Sequence, residues 1–584
     1  MVQRHIVFLC QPRSRCYSVS RLSSLREGRV PKKRWSAWEW SALAGFCLLV
    51  GYATRHHQPW GDEAQAWLIV RDCSLRDVFA HRLHYEGTPG LWSLLLWLLM
   101  RLHVSYSGMR WFSALSAVAG VAVWLRWSPF PRWLRLLFPF TFFIAYQYAV
   151  ISRSYVLFPL LAFSACALLD KQMPKPRPVL FAAVLGLLAN LCMYGTAMSV
   201  GLAVVYLRCT WKNSKEKNAG AAFAWKPNLA AAMIFVCAWS FAVATAKPAN
   251  DVAYATGLMD LPQVQKLLHR HVPTAIRPAG PSPAINSVES LPAPPITGSW
   301  WRDRLWLASH AQYRGMVSPP RHAYLIQRLI FAASLLVFPL AQHFWLAALA
   351  MVGLFYRMWR QRFLIASLPY LLVLGACVAV VAAEHHTGML LIAFIAAAWL
   401  SWPRQLPRQP FPRAVEEIFR IVLGIIFVLQ IGWTIHAVRF ERLGRYSGDT
   451  ETAEFLAQHA AGKRVAGFFS PGVEACFAHK IFFNQPTTYI GYSRNAAMNM
   501  PLEQLVAARP EYVVVSMVYN RQQMVFNQFL PMLDTSGESP GDILGVASVF
   551  EHNGYRETHR FCGLMPMRTG FSSELCQSVL EPER

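Results

Sequence analysis

Long apolar stretches, separated by short polar or basic segments, follow one another from about residue 36 to residue 435. A helix that crosses a bilayer needs about 20 mostly apolar residues. The pattern therefore predicts a mostly α-helical, polytopic membrane bundle. Eleven spans are expected, over residues 36–54, 111–126, 133–150, 152–169, 179–193, 197–207, 229–246, 343–356, 363–381, 388–402 and 415–435.

Two further apolar stretches, residues 91–102 and 324–340, are predicted to lie in the membrane interface or to re-enter the membrane without crossing it. The first is about a dozen residues long, which is too short for a full crossing. If both stretches cross, the chain has thirteen spans, which is the alternative.

The pattern changes after about residue 444. Two segments with helical spacing and two strand-like runs follow, at 450–459, 464–469, 502–508 and 512–517. The last run is rich in valine, which is typical of a parallel strand buried on both faces. The chain therefore divides into a basic tail (1–35), a membrane domain (36–435) and a small C-terminal α/β domain (444–584) with its own core.

Charge sets the expected orientation. Only 15% of the residues are charged, and 56 Lys and Arg against 31 Asp and Glu give a net charge of +25. A nucleic-acid partner would need a clustered basic face and a recognition module; neither is visible, so no nucleic acid is expected. The basic residues instead occupy the first 35 residues and several short segments between predicted spans, and such segments are enriched on the cytoplasmic side.

With a cytoplasmic N-terminus, an odd number of spans places the C-terminal domain on the extracytoplasmic side of a bacterial-type inner membrane. The first loop (54–89) and a proline-rich loop (247–320) are expected on that same outer side. A Cys562–Cys576 disulfide is possible if that compartment is oxidising. No paired Cys-x-x-Cys motif suggests a metal site.

The first outer loop carries the most concentrated polar chemistry. Asp62 and Glu63 lie side by side a few residues after the first predicted span, between Trp60 and Trp67. The apolar neighbours predict an amphipathic helix buried against the membrane, and a buried carboxylate needs a partner or a chemical role. The alternative is that both acids are simply solvated.

Further along the chain, four segments fall at predicted outer turns: 84–89 (His-Tyr-Glu-Gly-Thr-Pro), 148–155 (Tyr-Ala-Val-Ile-Ser-Arg-Ser-Tyr), 190–195 (Asn-Leu-Cys-Met-Tyr-Gly) and 384–388 (Glu-His-His-Thr-Gly). With the Asp-Glu pair, this arrangement resembles the GT-C class of integral membrane glycosyltransferases. Protein O-mannosyltransferases and lipid A aminoarabinose transferases are members of that class. The resemblance covers roughly residues 36–435.

The resemblance implies a polyprenyl-phosphate-linked sugar donor in the outer leaflet and a glycan, lipid or protein acceptor. By analogy, Asp62 is the general base on the acceptor hydroxyl, and Glu63 orients the acceptor or the base. The adjacent negative charges are expected to raise the pKa of one of the two acids. The leaving phosphate needs cations, for which the candidates are Arg153 first, then Arg110, Arg71 and Arg82.

Other side chains are candidates for contacts with the sugar or phosphate: His84, Tyr85, Glu86, Tyr155, Tyr194, His385 and His386. Each also has an ordinary structural interpretation, such as an arginine that reaches the membrane edge or a histidine satisfied at the interface. Some members of the class carry an acid in the second outer loop that helps to bind a divalent metal. Residues 152–155 contain no acid, so no cofactor is assigned, although a divalent metal is possible.

A membrane transporter or lipid-linked sugar flippase is the main alternative. Such proteins place ionisable residues near the middle of the membrane, facing a cavity. Here the acids are concentrated in predicted outer loops and are almost absent from the interiors of the predicted spans. A non-catalytic scaffold built around the C-terminal domain is a weaker alternative, because an anchor needs one span.

Overall fold

The computed structural model describes residues 35–169, 177–216, 225–247, 333, 335–337, 339–379, 384–403, 409–443, 447–468, 470–484, 502–518, 546–566 and 572–583. The basic tail up to residue 34, residues 248–320 of the proline-rich loop and most of the ambiguous stretch 324–340 lie outside these residues. Within the described part the protein is mostly helical, with a small sheet near the C-terminus. The described residues of Ala37–Arg584 belong to one compact unit.

Helices make up the first three quarters of the described chain. They are α1 (Ala37–His56), α2 (Gly61–Asp72), α3 (Leu75–Asp77), α4 (Leu83–Glu86), α5 (Leu91–Arg101), α6 (Tyr106–Trp127), α7 (Arg132–Leu137), α8 (Leu157–Leu169), α9 (Pro178–Ala189), α10 (Met193–Glu216), α11 (Trp225–Ala246), α12 (Phe344–Arg360), α13 (Leu368–Ala379), α14 (Glu384–Leu400) and α15 (Pro410–Leu443). Short π-helical turns occupy Val78–Arg82 and Phe143–Gln147, and short 3₁₀ turns occupy Phe138–Phe140, Ser154–Val156 and Leu364–Ser367.

Three helices in the described ranges are long and apolar enough to cross a membrane: α6, α11 and α15. Several shorter apolar helices accompany them, at Leu91–Arg101, Ser154–Leu169, Pro178–Ala189, Leu364–Val378 and His385–Leu400. Large apolar side chains such as Leu115 on α6 and Ile421 on α15 face outward. Outward-facing apolar side chains of this kind are typical of membrane helices.

The continuous helix predicted over 133–150 is wrong. The chain there forms α7, a 3₁₀ turn and the π-helical turn, because Pro139 has no N–H to continue a helix and the Thr141 hydroxyl donates to the Phe138 carbonyl at 2.7 Å. All residues from 141 to 152 are buried. Irregular backbone at membrane depth is tolerated where protein surrounds it.

The C-terminal region contains α16 (Asp449–His459), α17 (Pro471–Ala475), α18 (Leu502–Ala507) and α19 (Val546–His552) around the strands β1 (Val465–Phe468), β2 (Tyr512–Val518), β3 (Tyr555–Pro566) and β4 (Ser572–Pro582). The strand order is β1-β2-β4-β3. The valine-rich strand β2 pairs in parallel with β1 and antiparallel with β4. Apolar side chains cover both faces of the sheet, which confirms the expected small α/β fold.

A disulfide joins Cys562 on β3 to Cys576 on β4, as the sequence suggested. The two residues are direct cross-strand partners. The bond therefore closes the hairpin at the edge of the sheet.

Candidate active site

Helix α2 carries both acids of the first loop in its first turn, where the positive end of the helix dipole favours negative side chains. Successive residues of a helix point in different directions. Asp62 is therefore 30% exposed, whereas Glu63 is completely buried. The two acids therefore lie in different environments, and the contacts of each are described separately.

Asp62 forms an ion pair with Arg153, called here the surface pair. Oδ2 of Asp62 lies 2.6 Å from Nη1 of Arg153, whose side chain is 22% exposed. The same Nη1 lies 3.0 Å from Nε2 of His385. A guanidinium only donates hydrogen bonds, so Nε2 of His385 accepts and the imidazole proton is on Nδ1.

Aromatic rings surround the surface pair. The Tyr155 ring lies under the Arg153 guanidinium at 4.9 Å and stacks on His385 at 5.9 Å between centroids. The Tyr155 hydroxyl lies 2.8 Å from Nε2 of His386, and the Tyr194 ring packs on His386 at 5.2 Å. The structure thus brings six of the predicted site residues together: Asp62, Arg153, Tyr155, Tyr194, His385 and His386.

Glu63 points into the protein and contacts His57. Nε2 of His57 lies 3.3 Å from Glu63, and Nδ1 of the same ring lies 2.7 Å from Oε1 of Glu441 at the end of α15. Both ring nitrogens thus face carboxylates, and a protonated imidazole satisfies both by donating twice. We call Glu63, His57 and Glu441 the buried triad.

Further donors complete the buried triad. The Ser152 amide and the Tyr106 hydroxyl donate to Glu63, and the Tyr146 hydroxyl donates to Glu441 at 2.7 Å. Each carboxylate is therefore held by an imidazolium and by at least one neutral donor.

Opposing effects set the charges in the triad. Burial disfavours the charged form of His57, but the Glu441 and Glu63 carboxylates outweigh it and raise its pKa to about 9. Burial likewise opposes the charge of Glu63, and His57, Arg110 and the Ser152 amide outweigh it and lower its pKa. The expected repulsion between Asp62 and Glu63 therefore does not raise the pKa of Glu63.

Arg110 belongs with the buried triad. Its Nη1 donates to the His57 carbonyl, and its guanidinium lies 4.9 Å from the Tyr106 ring. Its charge supports Glu63. The structure thus places Arg110 with the buried triad, which its charge stabilises, whereas the sequence suggested a ligand for the donor phosphate.

Arg71 and Arg82, the remaining candidates for donor phosphate, bind other acids. Arg71 lies nine residues after Asp62, roughly 13 Å along the helix axis, and pairs with Asp72 at 2.6 Å and with Glu474 on α17 at 3.4 Å. Arg82 pairs with Asp77 at 2.9 Å. Arg71 therefore attaches α2 to the C-terminal domain, and Arg82 stabilises the loop.

The segment 84–86 fastens α4 to its neighbours. His84 lies 2.6 Å from the carbonyl oxygen of Lys247 at the end of α11, and Glu86 accepts a hydrogen bond from Gln65 on α2. The side chain of Tyr85 lies outside the described part of the chain. His84 and Glu86 therefore help to position α4 against α11 and α2.

The site lies where one end of several helices converges. His57 follows the end of α1, Glu441 is at the end of α15, and the starts of α6, α10 and α14 contribute Tyr106, Tyr194 and His385. The other ends of these or adjacent helices carry exposed aromatic side chains, at Trp38, Trp40, Trp127, Trp211, Trp359 and Phe411. The bundle therefore has a site end and an opposite end.

Sequence reasoning missed His57, Glu441 and Tyr146. Glu441 had a usable signal, because an acid near the end of a long apolar stretch is a candidate functional residue. His57 had no local signal, since its partners are 6 and 384 residues away in sequence.

Neither metal geometry nor known relatives identify the site. Within the described ranges, no group of three or more His, Cys, Asp or Glu side chains is arranged to hold a metal ion. The surface pair and its aromatic surroundings therefore carry the functional argument. No protein-family model, curated protein or solved structure matches this chain.

Proposed function

We propose that the protein is a GT-C-type glycosyltransferase that moves a sugar from a polyprenyl-phosphate-linked donor to an acceptor at the outer face of the membrane. The observation that carries this proposal is the surface pair. A partly exposed carboxylate beside a permanently charged guanidinium supplies a proton acceptor and a phosphate-binding cation within one site. Glycosyl transfer from a phosphate needs both groups.

In the proposed reaction, Asp62 accepts the proton of the acceptor hydroxyl as its oxygen bonds to the anomeric carbon. The bond between that carbon and the phosphate oxygen breaks, and its electron pair leaves on the polyprenyl phosphate. Arg153 binds the phosphate and neutralises the developing charge, since an arginine fork fits phosphate oxygens. The buried triad holds the start of α2, and with it Asp62, in place.

Aromatic rings support the surface pair from the protein side. Tyr155 lies under Arg153 and contacts His386, and Tyr194 packs on His386; all three side chains are buried, so they hold Arg153 and His385 in position. The Nδ1–H that remains on His385 is a donor for a sugar hydroxyl or a phosphate oxygen. The acceptor, a glycan, lipid or protein, would approach Asp62 from the side where that residue is exposed.

The charge at the opposite end of the bundle supports the proposed cytoplasmic N-terminus. That end carries basic residues such as Arg126 and Arg360, and basic segments are enriched at the cytoplasmic interface. Helix α5 begins beside the site end, since the Leu91 amide donates to the Asn190 carbonyl. It is short, which favours a re-entrant or interfacial helix over a crossing.

The disulfide supports an extracytoplasmic C-terminal domain, because such bonds persist in oxidising compartments. This orientation puts the surface pair on the periplasmic side of a bacterial-type inner membrane. A lipid-linked donor is accessible there from the outer leaflet.

A transporter or lipid-linked sugar flippase remains a second candidate, favoured by one observation. Glu441 is buried on α15, a helix long enough to span a membrane, and intramembrane carboxylates often mark translocation pathways. The two functions differ in the product: a flippase moves the lipid-linked sugar intact, and a transferase breaks its glycosidic bond.

The test is sugar transfer in proteoliposomes that contain the full-length protein. Polyprenyl-phosphate sugars labelled in the sugar are supplied with a cell-envelope extract as acceptor, and label is followed from the lipid into product. We expect transfer by the wild type and almost none by Asp62→Asn. The matched control is Asp77→Asn, an acid of similar exposure in the same loop, which should transfer normally. Translocation of intact donor without cleavage would contradict the proposal and favour the flippase.

Orientation is tested by accessibility of introduced cysteines. An Arg360→Cys variant should resist an impermeant thiol reagent applied to intact cells, and a Glu557→Cys variant should react, above the background of the native cysteines. The reverse pattern would overturn the orientation and the proposed access to an outer-leaflet donor.

A further inference from the structure

We propose that Arg153 couples donor binding to activation of the base: it holds Asp62 in an ion pair until a donor phosphate takes its place. Asp62 then becomes an effective proton acceptor only when a donor is bound, so the donor binds before the acceptor reacts. This inference rests on the proposed function and adds an order of events to it.

The geometry of Nη1 is the first support. Its two protons are directed to Asp62 at 2.6 Å and to His385 at 3.0 Å. A carboxylate that accepts a short, charge-assisted hydrogen bond from arginine is stabilised in its ionised form. In this arrangement the guanidinium occupies Oδ2 of Asp62, so an acceptor hydroxyl cannot donate to that oxygen until Arg153 turns away.

Accessibility is the second support. Asp62 and Arg153 are 30% and 22% exposed, whereas the Arg71 and Arg110 side chains lie in well-enclosed contacts. An exposed ion pair opens at little cost, because water replaces its contacts, and a guanidinium fork can bind two phosphate oxygens at once, whereas the contact with Asp62 uses one nitrogen. A phosphate that forms two bonds with the guanidinium therefore competes successfully with Asp62.

His385 is the third support. Its backbone carbonyl accepts a hydrogen bond from Tyr148 at 2.6 Å, and its ring stacks on Tyr155. Because His385 is neutral and fixed, it continues to hold Nη1 of Arg153 when Asp62 no longer does. The guanidinium can thus turn from Asp62 to a phosphate without leaving the site.

The consequence for Asp62 is a change of neighbours. It loses a positive charge at hydrogen-bond distance and gains a phosphate nearby, and both changes favour its protonated form. A hydrophobic carbodiimide modifies protonated carboxyl groups, so the modification of Asp62 reports this change without any measurement of sugar transfer.

The experiment measures carbodiimide modification of Asp62 by peptide mass spectrometry in the purified full-length protein at constant pH. The ligand is a polyprenyl monophosphate without sugar, and the control is the corresponding polyprenol. We expect the phosphate lipid to increase modification about two- to fivefold, the factor that corresponds to the loss of an exposed ion pair. Polyprenol should leave it unchanged.

Two variants test the role of Arg153. Arg153→Gln should show high modification of Asp62 without ligand and no further increase with the phosphate lipid, whereas Arg153→Lys keeps a cation and should retain part of the response. The matched control is Arg82→Gln, which removes a loop arginine paired with another acid and should behave like the wild type.

Binding of the lipids, followed by native mass spectrometry, separates the two levels of the proposal. If the phosphate lipid binds the wild type better than polyprenol but leaves Asp62 modification unchanged, the coupling is overturned and the donor site stands. If both lipids bind equally, the phosphate-dependent donor site of the proposed function fails, and the coupling fails with it.

Discussion

Asp62 and Glu63 are adjacent in sequence and carry the same charge, yet their surroundings differ completely. Asp62 is partly exposed and has one charged partner within hydrogen-bond distance among the described contacts. Glu63 is fully buried and is held by His57, a tyrosine hydroxyl and a backbone amide. One acid has a partly exposed partner, and the other is part of the protein interior.

The physical difference lies in desolvation. An exposed ion pair can open at little cost, because water replaces the lost contacts. Removing one member of a buried pair leaves an uncompensated charge and costs about 3–5 kcal/mol. We therefore expect substitutions in the surface pair to change activity, and substitutions in the buried triad to change stability first.

The largest expected effect is on catalysis. Asp62→Asn should lower the rate of sugar transfer about 10²–10⁴-fold, the usual contribution of a general base, while the melting temperature stays close to that of the wild type. Turnover in proteoliposomes and thermal unfolding in detergent measure the two quantities. Wild-type turnover in this variant would remove Asp62 from the mechanism.

Next in size is the stability effect of the triad. His57→Leu should destabilise the protein by about 3–5 kcal/mol, because two buried carboxylates lose their shared cation. Tryptophan fluorescence during denaturation measures it. His56→Leu is a matched control, since that side chain contacts only a backbone carbonyl and an aromatic ring among the described contacts. Equal stability of both variants would contradict the ionic interpretation of the triad.

The pH dependence of the free energy of unfolding is a smaller effect, and it also arises from His57. The pKa of His57 is raised from its ordinary value of about 6.5 to about 9, so its contribution is complete below about pH 6.5 and is lost as the pH rises through about 9. The loss amounts to about 3 kcal/mol. The lowered pKa of Glu63 acts at the acid end, where its contribution is lost as the pH falls. Unfolding from pH 6 to 10, compared with His57→Gln, should show the alkaline loss in the wild type alone.

The smallest expected effect concerns the far end of α2. Arg71→Met should cost about 1–2 kcal/mol, because Glu474 loses its charged partner. Burial already raises the pKa of Glu474 to about 7, so the carboxyl can take up a proton and limit the cost. Hydrogen exchange should increase in α17 and hardly at all at Asp62. An equal increase at both ends of α2 would show that the C-terminal domain also holds the surface pair.

The local pattern predicted much of the architecture. Runs of apolar residues indicated helices such as α1 and α6, a valine-rich run indicated the buried strand β2, and the expected oxidising compartment allowed the Cys562–Cys576 disulfide. These features depend on residues close in sequence, where helix and strand periods are visible. The helix predicted over 133–150 was wrong because buried backbone can leave helical geometry when the rest of the bundle satisfies it.

The sequence by itself determined which residues were candidates for the site, but not which partner each would take. It offered four arginines for a phosphate, and the tertiary structure alone assigned Arg153 to Asp62, Arg110 to the buried triad, and Arg71 and Arg82 to other acids. It also joined His57 to Glu441 across 384 positions. The physical reason is that an ionisable side chain acquires its role from the charges and the burial around it, and both are fixed only when distant helix ends meet.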